Sequence, residues 1–146
     1  MGESMLKAHF FDVNIPLVWD IDSLLLANLR QPVEKRLVRE LIQYVSLDII
    51  DDAFGGSKTI GPIILAEVPW ITTGELLIDG SHRVIDAFKH GDVEIEGIKL
   101  PVRMHLPFML PYSAFLFKFL CNTVLLSYYA MGKTTLERFY KKAYSL

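Results

Sequence analysis

Leu76-Leu77-Ile78-Asp79-Gly80-Ser81-His82-Arg83 is the stretch that decides how this chain folds. Three apolar residues suit a short strand, and Asp79-Gly80 forms a tight turn. Ser81 then stands where a helix is capped. Val84, Ile85, Ala87 and Phe88 supply an apolar face at helical spacing as far as about His90, where Gly91 offers a left-handed stop. A strand, a turn and a helix therefore follow one another without a linker.

Moving outward, Gly61-Pro62 introduces a mostly apolar strand, Ile63–Val68, and Thr73-Gly74 suits the turn that returns the chain to Leu76. Downstream, Glu96-Gly97 suits a hairpin turn and Pro101–His105 a last short strand. Nearer the start, Ala8–Val13 and Leu17–Ile21 read as short strands separated by Pro16. Pro32 opens a helix whose stripe is Val33, Leu37, Val38, Leu41, Ile42 and Val45. The acidic segment Asp48–Asp52 and Gly55-Gly56 form a loop. Strands interrupted by helices predict an α/β (α+β) fold over residues 1–106, a small mixed sheet with packed helices. Residues 107–146 predict an apolar helical hairpin: a helix over Tyr112–Ala130, a break at Gly132, and a last helix opened by a Thr134/Glu137 capping box.

The 146 residues are 51% hydrophobic and 22% charged, with a mean hydropathy of +0.31, which excludes general disorder. The net charge of −2 hides two opposed parts. Residues 1–106 hold sixteen acids and ten bases, whereas residues 107–146 hold five bases and one acid. The overall balance disfavours coating of nucleic acid by charge, although the tail leaves room for a local basic contact. A single cysteine, Cys121, excludes a disulfide framework or a cysteine-rich zinc site within the chain and fits a reducing, cytoplasmic compartment. From Leu106 to Met131 only Lys118 is charged. That length could span a bilayer, but Lys118 and Asn122 in mid-run and Pro107 and Pro111 at its start argue for a buried or partner-bound helix instead. Nothing at Met1–Lys7 has a signal-peptide layout.

The turn carries the chemistry. Unbonded amides at a helix start, together with the helix dipole, attract an anion. Gly80 permits close approach, the Ser81 hydroxyl can donate, and the Arg83 fork matches phosphate oxygens. His82 adds a donor or a proton relay. The same residues also describe an ordinary capped helix with an exposed arginine.

Asp79-Gly80-Ser81-His82-Arg83, with Val84–Phe88, Gly91 and Leu100-Pro101-Val102 behind it and Gly61-Pro62-Ile63-Ile64 ahead of it, resembles the signature of the ParB/sulfiredoxin superfamily. The likeness covers residues 60–105 and extends loosely over residues 8–59. It implies a nucleotide, ATP or a related triphosphate, with its phosphates on Gly80, Ser81, His82 and Arg83. Members of the superfamily differ in use. Sulfiredoxins have a cysteine directly before their His-Arg pair, where this chain has Ser81. ParB proteins bind CTP and have Glu and Arg where Ser81 and His82 stand. Other branches phosphorylate a small amino acid, cleave nucleic acid or act as plasmid-encoded fertility-inhibition factors.

Phosphoryl transfer or hydrolysis on this turn would use Asp79 to orient a magnesium-bound water and His82 as a catalytic partner. Lys58, in the glycine-rich loop, could close over the nucleotide. Asp48, Asp51, Asp52 and Glu67 are further carboxylates that the sequence does not place. Gly132-Lys133-Thr134 lacks the first glycine and the preceding strand of a P-loop. His9 and His105 read as structural histidines, and Trp19 and Trp70 as buried rings. The expected activity is nucleotide hydrolysis or phosphoryl transfer; the alternatives are a non-catalytic inhibitor of plasmid or phage type, or a metal-dependent nuclease. The expected protein contact is a second copy or another partner at 107–146.

Overall fold

The computed structural model describes residues 3–8, 13–28, 30–45 and 61–146, with side chains from Leu17 onward. Strands β1 (Glu3–Ala8) and β2 (Val13–Val18) form an antiparallel pair, Pro16 standing opposite Met5. A four-stranded mixed sheet has the order β3-β6-β4-β5, from β3 (Glu34–Leu37), β4 (Ile63–Glu67), β5 (Glu75–Asp79) and β6 (Glu94–Leu100). β4 runs parallel to β6 and antiparallel to β5, and β3 is antiparallel to β6.

β4 is apolar and buried from Ile63 to Ala66 because both of its faces are covered. Ile64 and Ala66 point into a cluster with Ile78, Ile98, Leu24 and Phe117. Ile63 and Leu65 point the other way, into a cluster with Leu41, Val45, Val84 and Ile85. The first cluster is closed by helices α1 (Ile21–Asn28) and α5 (Pro111–Ala130), the second by α2 (Val38–Leu41) and α3 (Ser81–Lys89). The last helix is α6 (Leu136–Lys142), and a short helix α4 (Val102–His105) follows β6.

The α/β character, the mixed sheet with packed helices and the apolar C-terminal helix agree with the sequence reading; several local assignments do not. The helix expected from Pro32 is instead strand β3 followed by α2 and a 3₁₀ turn at Ile42–Tyr44. Ladder bonds from Glu34–Leu37 to Glu94–Gly97 override the helical spacing. Glu96-Gly97 is no turn but mid-strand in β6. A Cβ at Gly97 would stand 2.9 Å from Ile63 Cγ1, so glycine is there to admit the neighbouring β4 side chain. Pro101–His105 is helical, not extended. The expected strand Leu17–Ile21 ends at Val18, and Asp20 opens α1 by accepting from the Ser23 amide at 3.2 Å and its hydroxyl at 2.8 Å. The last helix is capped by Thr135, which accepts from Arg138 N at 3.2 Å, one residue later than expected. The expected strand Ala8–Val13, with His9, and the loop at Asp48–Asp52 and Gly55-Gly56 fall wholly or mostly outside the described residues.

The tail belongs to the core. Phe117 and Cys121 are buried among sheet residues, and the Phe117 ring lies 4.8 Å from that of Trp70. Leu110 N donates to the Val18 carbonyl at 3.0 Å and Asp20 N to that of Phe108 at 2.7 Å, joining the start of α5 to the end of β2. By length and composition α5 could cross a membrane, but here one of its faces packs on the sheet.

Candidate functional site

Helix α3 begins one residue after β5, and Gly80 makes this possible. Its φ of +103° is left-handed, and a Cβ there would stand 2.6 Å from Ile63 Cγ2, so side chains are excluded twice over. The helical ladder starts with Val84 N donating to the Gly80 carbonyl at 3.1 Å. The amides of Ser81, His82 and Arg83 precede it, among the groups that a helix does not bond within itself. Ser81 and His82 are half-buried. With the dipole behind them, these amides make the end of α3 a place for an anion.

Arg83 does something that the sequence did not reveal. Its Nη1 donates to the carbonyls of Gly61 (3.0 Å) and Pro62, and its Nη2 to Asp79 Oδ2 at 2.8 Å. The two side chains, four residues apart across the turn, are only 13% and 19% exposed. The fork therefore ties the entry of β4 to the end of β5, and Arg83 and Asp79 neutralise one another. Arg83 Nε is buried with no partner among the described residues. An anion arriving at the turn meets backbone amides first and a charge-balanced pair behind them.

The turn brings together Asp79, Gly80, Ser81, His82 and Arg83. Lys58, Asp48, Asp51 and Asp52 lie outside the described residues. Glu67 is not at the turn: it pairs with Glu75 at the far end of β4, whereas Ile64 pairs with Asp79. At about 3.3 Å per residue this separates Glu67 from the turn by roughly 10 Å. Glu67 Oε1 instead accepts from Val102 N at 3.0 Å. It also borders an open, mostly apolar cleft of about 570 Å³ with Pro69, Val102, Cys121, Leu125 and Tyr144. That cleft lies at the opposite end of the strand from the turn.

His105 is a fully buried structural histidine, though on α4 rather than a strand. Trp19 Nε1–H donates to its Nδ1 at 3.1 Å, and its Nε2 faces the Glu67 carbonyl at 2.8 Å. An indole only donates and a carbonyl only accepts, so the ring is the neutral Nε2–H tautomer. Burial holds its pKa below the usual value, against the opposing pull of Glu67. Burial and then the Glu67 charge push the Cys121 thiol up to about 12.

No family model, curated protein or solved structure matches the chain. Its chemistry therefore rests on its own geometry. Among the described residues no three His, Cys, Asp or Glu side chains gather as a metal site. A magnesium ion at the turn would draw on Asp79, water and the phosphates of a nucleotide, the ligands that this hard ion prefers.

The feature that sequence reasoning missed is the Gly61–Pro62 carbonyl pair as the partner of Arg83. Gly61-Pro62 was visible as a strand opening, but nothing local says that an arginine more than twenty residues later turns back to it.

Proposed function

We propose that this chain is a nucleotide-binding protein of ParB/sulfiredoxin-like type that holds the phosphates of ATP or a related triphosphate on the first turn of α3 and hydrolyses or transfers the terminal phosphoryl group. One observation carries the reading. Gly80, barred from having a side chain by Ile63, opens the amide end of a nine-residue helix directly at the end of a strand. Gly80 and the amides of Ser81 and His82 receive the phosphates, with His82 beside the transferred group. Arg83 holds the turn in shape through Gly61, Pro62 and Asp79, and offers the phosphate its remaining Nη2 hydrogen. Asp79, oriented by Arg83, would help to hold a magnesium ion, which when bound would neutralise phosphate charge and supply an activated water. The nucleotide is bound in the cytoplasm. A second reading, favoured by the exposed aromatic face of α5, keeps the nucleotide but replaces catalysis with binding of a partner, as in an inhibitor of plasmid or phage type.

Calorimetry with ATP, CTP and GTP in the presence of magnesium tests this, with Ser81→Asp as the decisive variant. A carboxylate there repels phosphate while suiting the positive end of the helix, a gain of about 0.3–1 kcal/mol in stability. Wild type should bind one of the nucleotides, and Ser81→Asp should lose that binding with no fall in Tm. Absence of binding by wild type, or equal binding by the variant, refutes the proposal.

A further inference from the structure

We propose that the solvent face of α5 is a dimer interface, occupied by the same helix of a second copy of this chain in antiparallel orientation. Helix α5 has a different neighbour on each side. Ser113, Phe117, Leu120 and Cys121 are buried, Phe117 and Cys121 among residues of the sheet. Leu125 and Tyr128 border the cleft at Glu67. Tyr112, Phe115, Phe119 and Leu126, spaced to fall in one stripe, are left uncovered among the described residues, at 51%, 50%, 43% and 52% exposed. Tyr129, 40% exposed, lies at the edge of that stripe.

The helix is already prepared for loss of water. Thr123 Oγ1 donates to the Phe119 carbonyl at 2.9 Å and Ser127 Oγ to that of Val124 at 2.7 Å. The Asn122 amide exchanges both of its bonds with the Tyr144 backbone, at 2.9 and 2.7 Å. Covering this face therefore strands no hydroxyl or amide of these residues, the usual penalty for burying polar groups.

Area decides for a second copy. A fully exposed aromatic side chain presents roughly 200 Å², so these five residues present on the order of 450 Å² per copy. That falls within the roughly 300–600 Å² of the largest apolar patch on a monomer, a patch that is often functional. Doubled, and with the intervening helix surface added, it reaches the roughly 1,000 Å² that a specific interface needs. The stripe is also its own complement. A two-fold axis at Phe119, midway between Tyr112 and Leu126, sets Tyr112 against Leu126 of the second copy and Phe119 against itself.

Sedimentation equilibrium of the full chain over a hundredfold range of concentration tests this. Wild type should have about twice the 16.7 kDa chain mass. Phe119→Glu, which sets two carboxylates face to face, should weaken the dimer at least about 30-fold. Because Phe119 meets itself, Phe119→Cys in a Cys121→Ser background should oxidise to a covalent dimer, whereas Leu110→Cys in that background should not. The cross-link keeps the proposal testable if the glutamate variant fails to fold. A wild-type monomer at every concentration, a dimer indifferent to Phe119→Glu, or a monomer that instead sediments with phosphatidylglycerol vesicles overturns it.

Discussion

Acidification should weaken this fold through His105, and the size of the effect follows from its surroundings. The ring is fully buried, with Nδ1 accepting from the Trp19 indole and Nε2–H donating to the Glu67 carbonyl. A second proton would have to be placed on Nδ1, pointing at another N–H. Burial lowers the pKa of the folded ring below 6.5, and the Glu67 contacts, which pull upward, do not offset it. In the unfolded chain the ring titrates near its ordinary value of about 6.5. Between the folded value and 6.5 the unfolded chain thus binds a proton that the folded chain refuses. Stability is complete above about pH 6.5 and falls as the pH drops, by up to about 1.4 kcal/mol per unit, until the folded value is reached. Urea unfolding at pH 7.5 and 5.5 measures this when wild type is compared with His105→Gln, whose amide can accept from Trp19 and donate to Glu67 without titrating. The variant is expected to be less stable at pH 7.5. Wild type should then lose up to about 1.4 kcal/mol more than the variant on acidification. Equal losses in the two proteins, or an NMR titration of native His105 near 6.5, would refute the reasoning.

Two further expectations concern the turn and the thiol. Gly80→Ala combines a left-handed φ with a 2.6 Å contact to Ile63 and should cost about 2–5 kcal/mol, read as a lower Tm and a loss of any nucleotide binding; an unchanged Tm would remove Gly80 as the reason for the abrupt helix start. Cys121, with its pKa pushed up to about 12, should resist iodoacetamide at pH 8 in the native protein and react readily in urea; rapid native labelling would contradict its burial.

The segments legible in the sequence are those whose structure is set by near neighbours. Asp79-Gly80-Ser81 announced a turn and a helix start, although Gly80 and not Ser81 stands at the cap and no side chain caps the helix; Gly91 supplied its stop with φ of +75°, and the apolar run after Pro111 became a single long helix. The segments misread are those whose partner is distant. Glu34–Leu37 has the spacing of a helix and becomes a strand because β6 offers it a ladder. Gly97 looked like a turn residue and is a gap in a strand for Ile63.

The candidate site divides in the same way. The strand–turn–helix junction of the candidate site could be read from five consecutive residues. The clamp of Arg83 on Gly61 and Pro62, and the distance of Glu67 from the turn, required the chain to be folded. By itself, then, the sequence determined the α/β class, the turn and the apolar tail, because turn geometry, helix capping and burial of a continuous apolar run act over a few residues. Tertiary structure alone decided that β3 and β4 pair with β6, that the tail helix completes the core with one face and leaves another in water, and that Arg83 faces inward. Each of these depends on hydrogen-bond and packing partners that come close only after the chain has closed loops of twenty residues or more, and no local pattern records such partners.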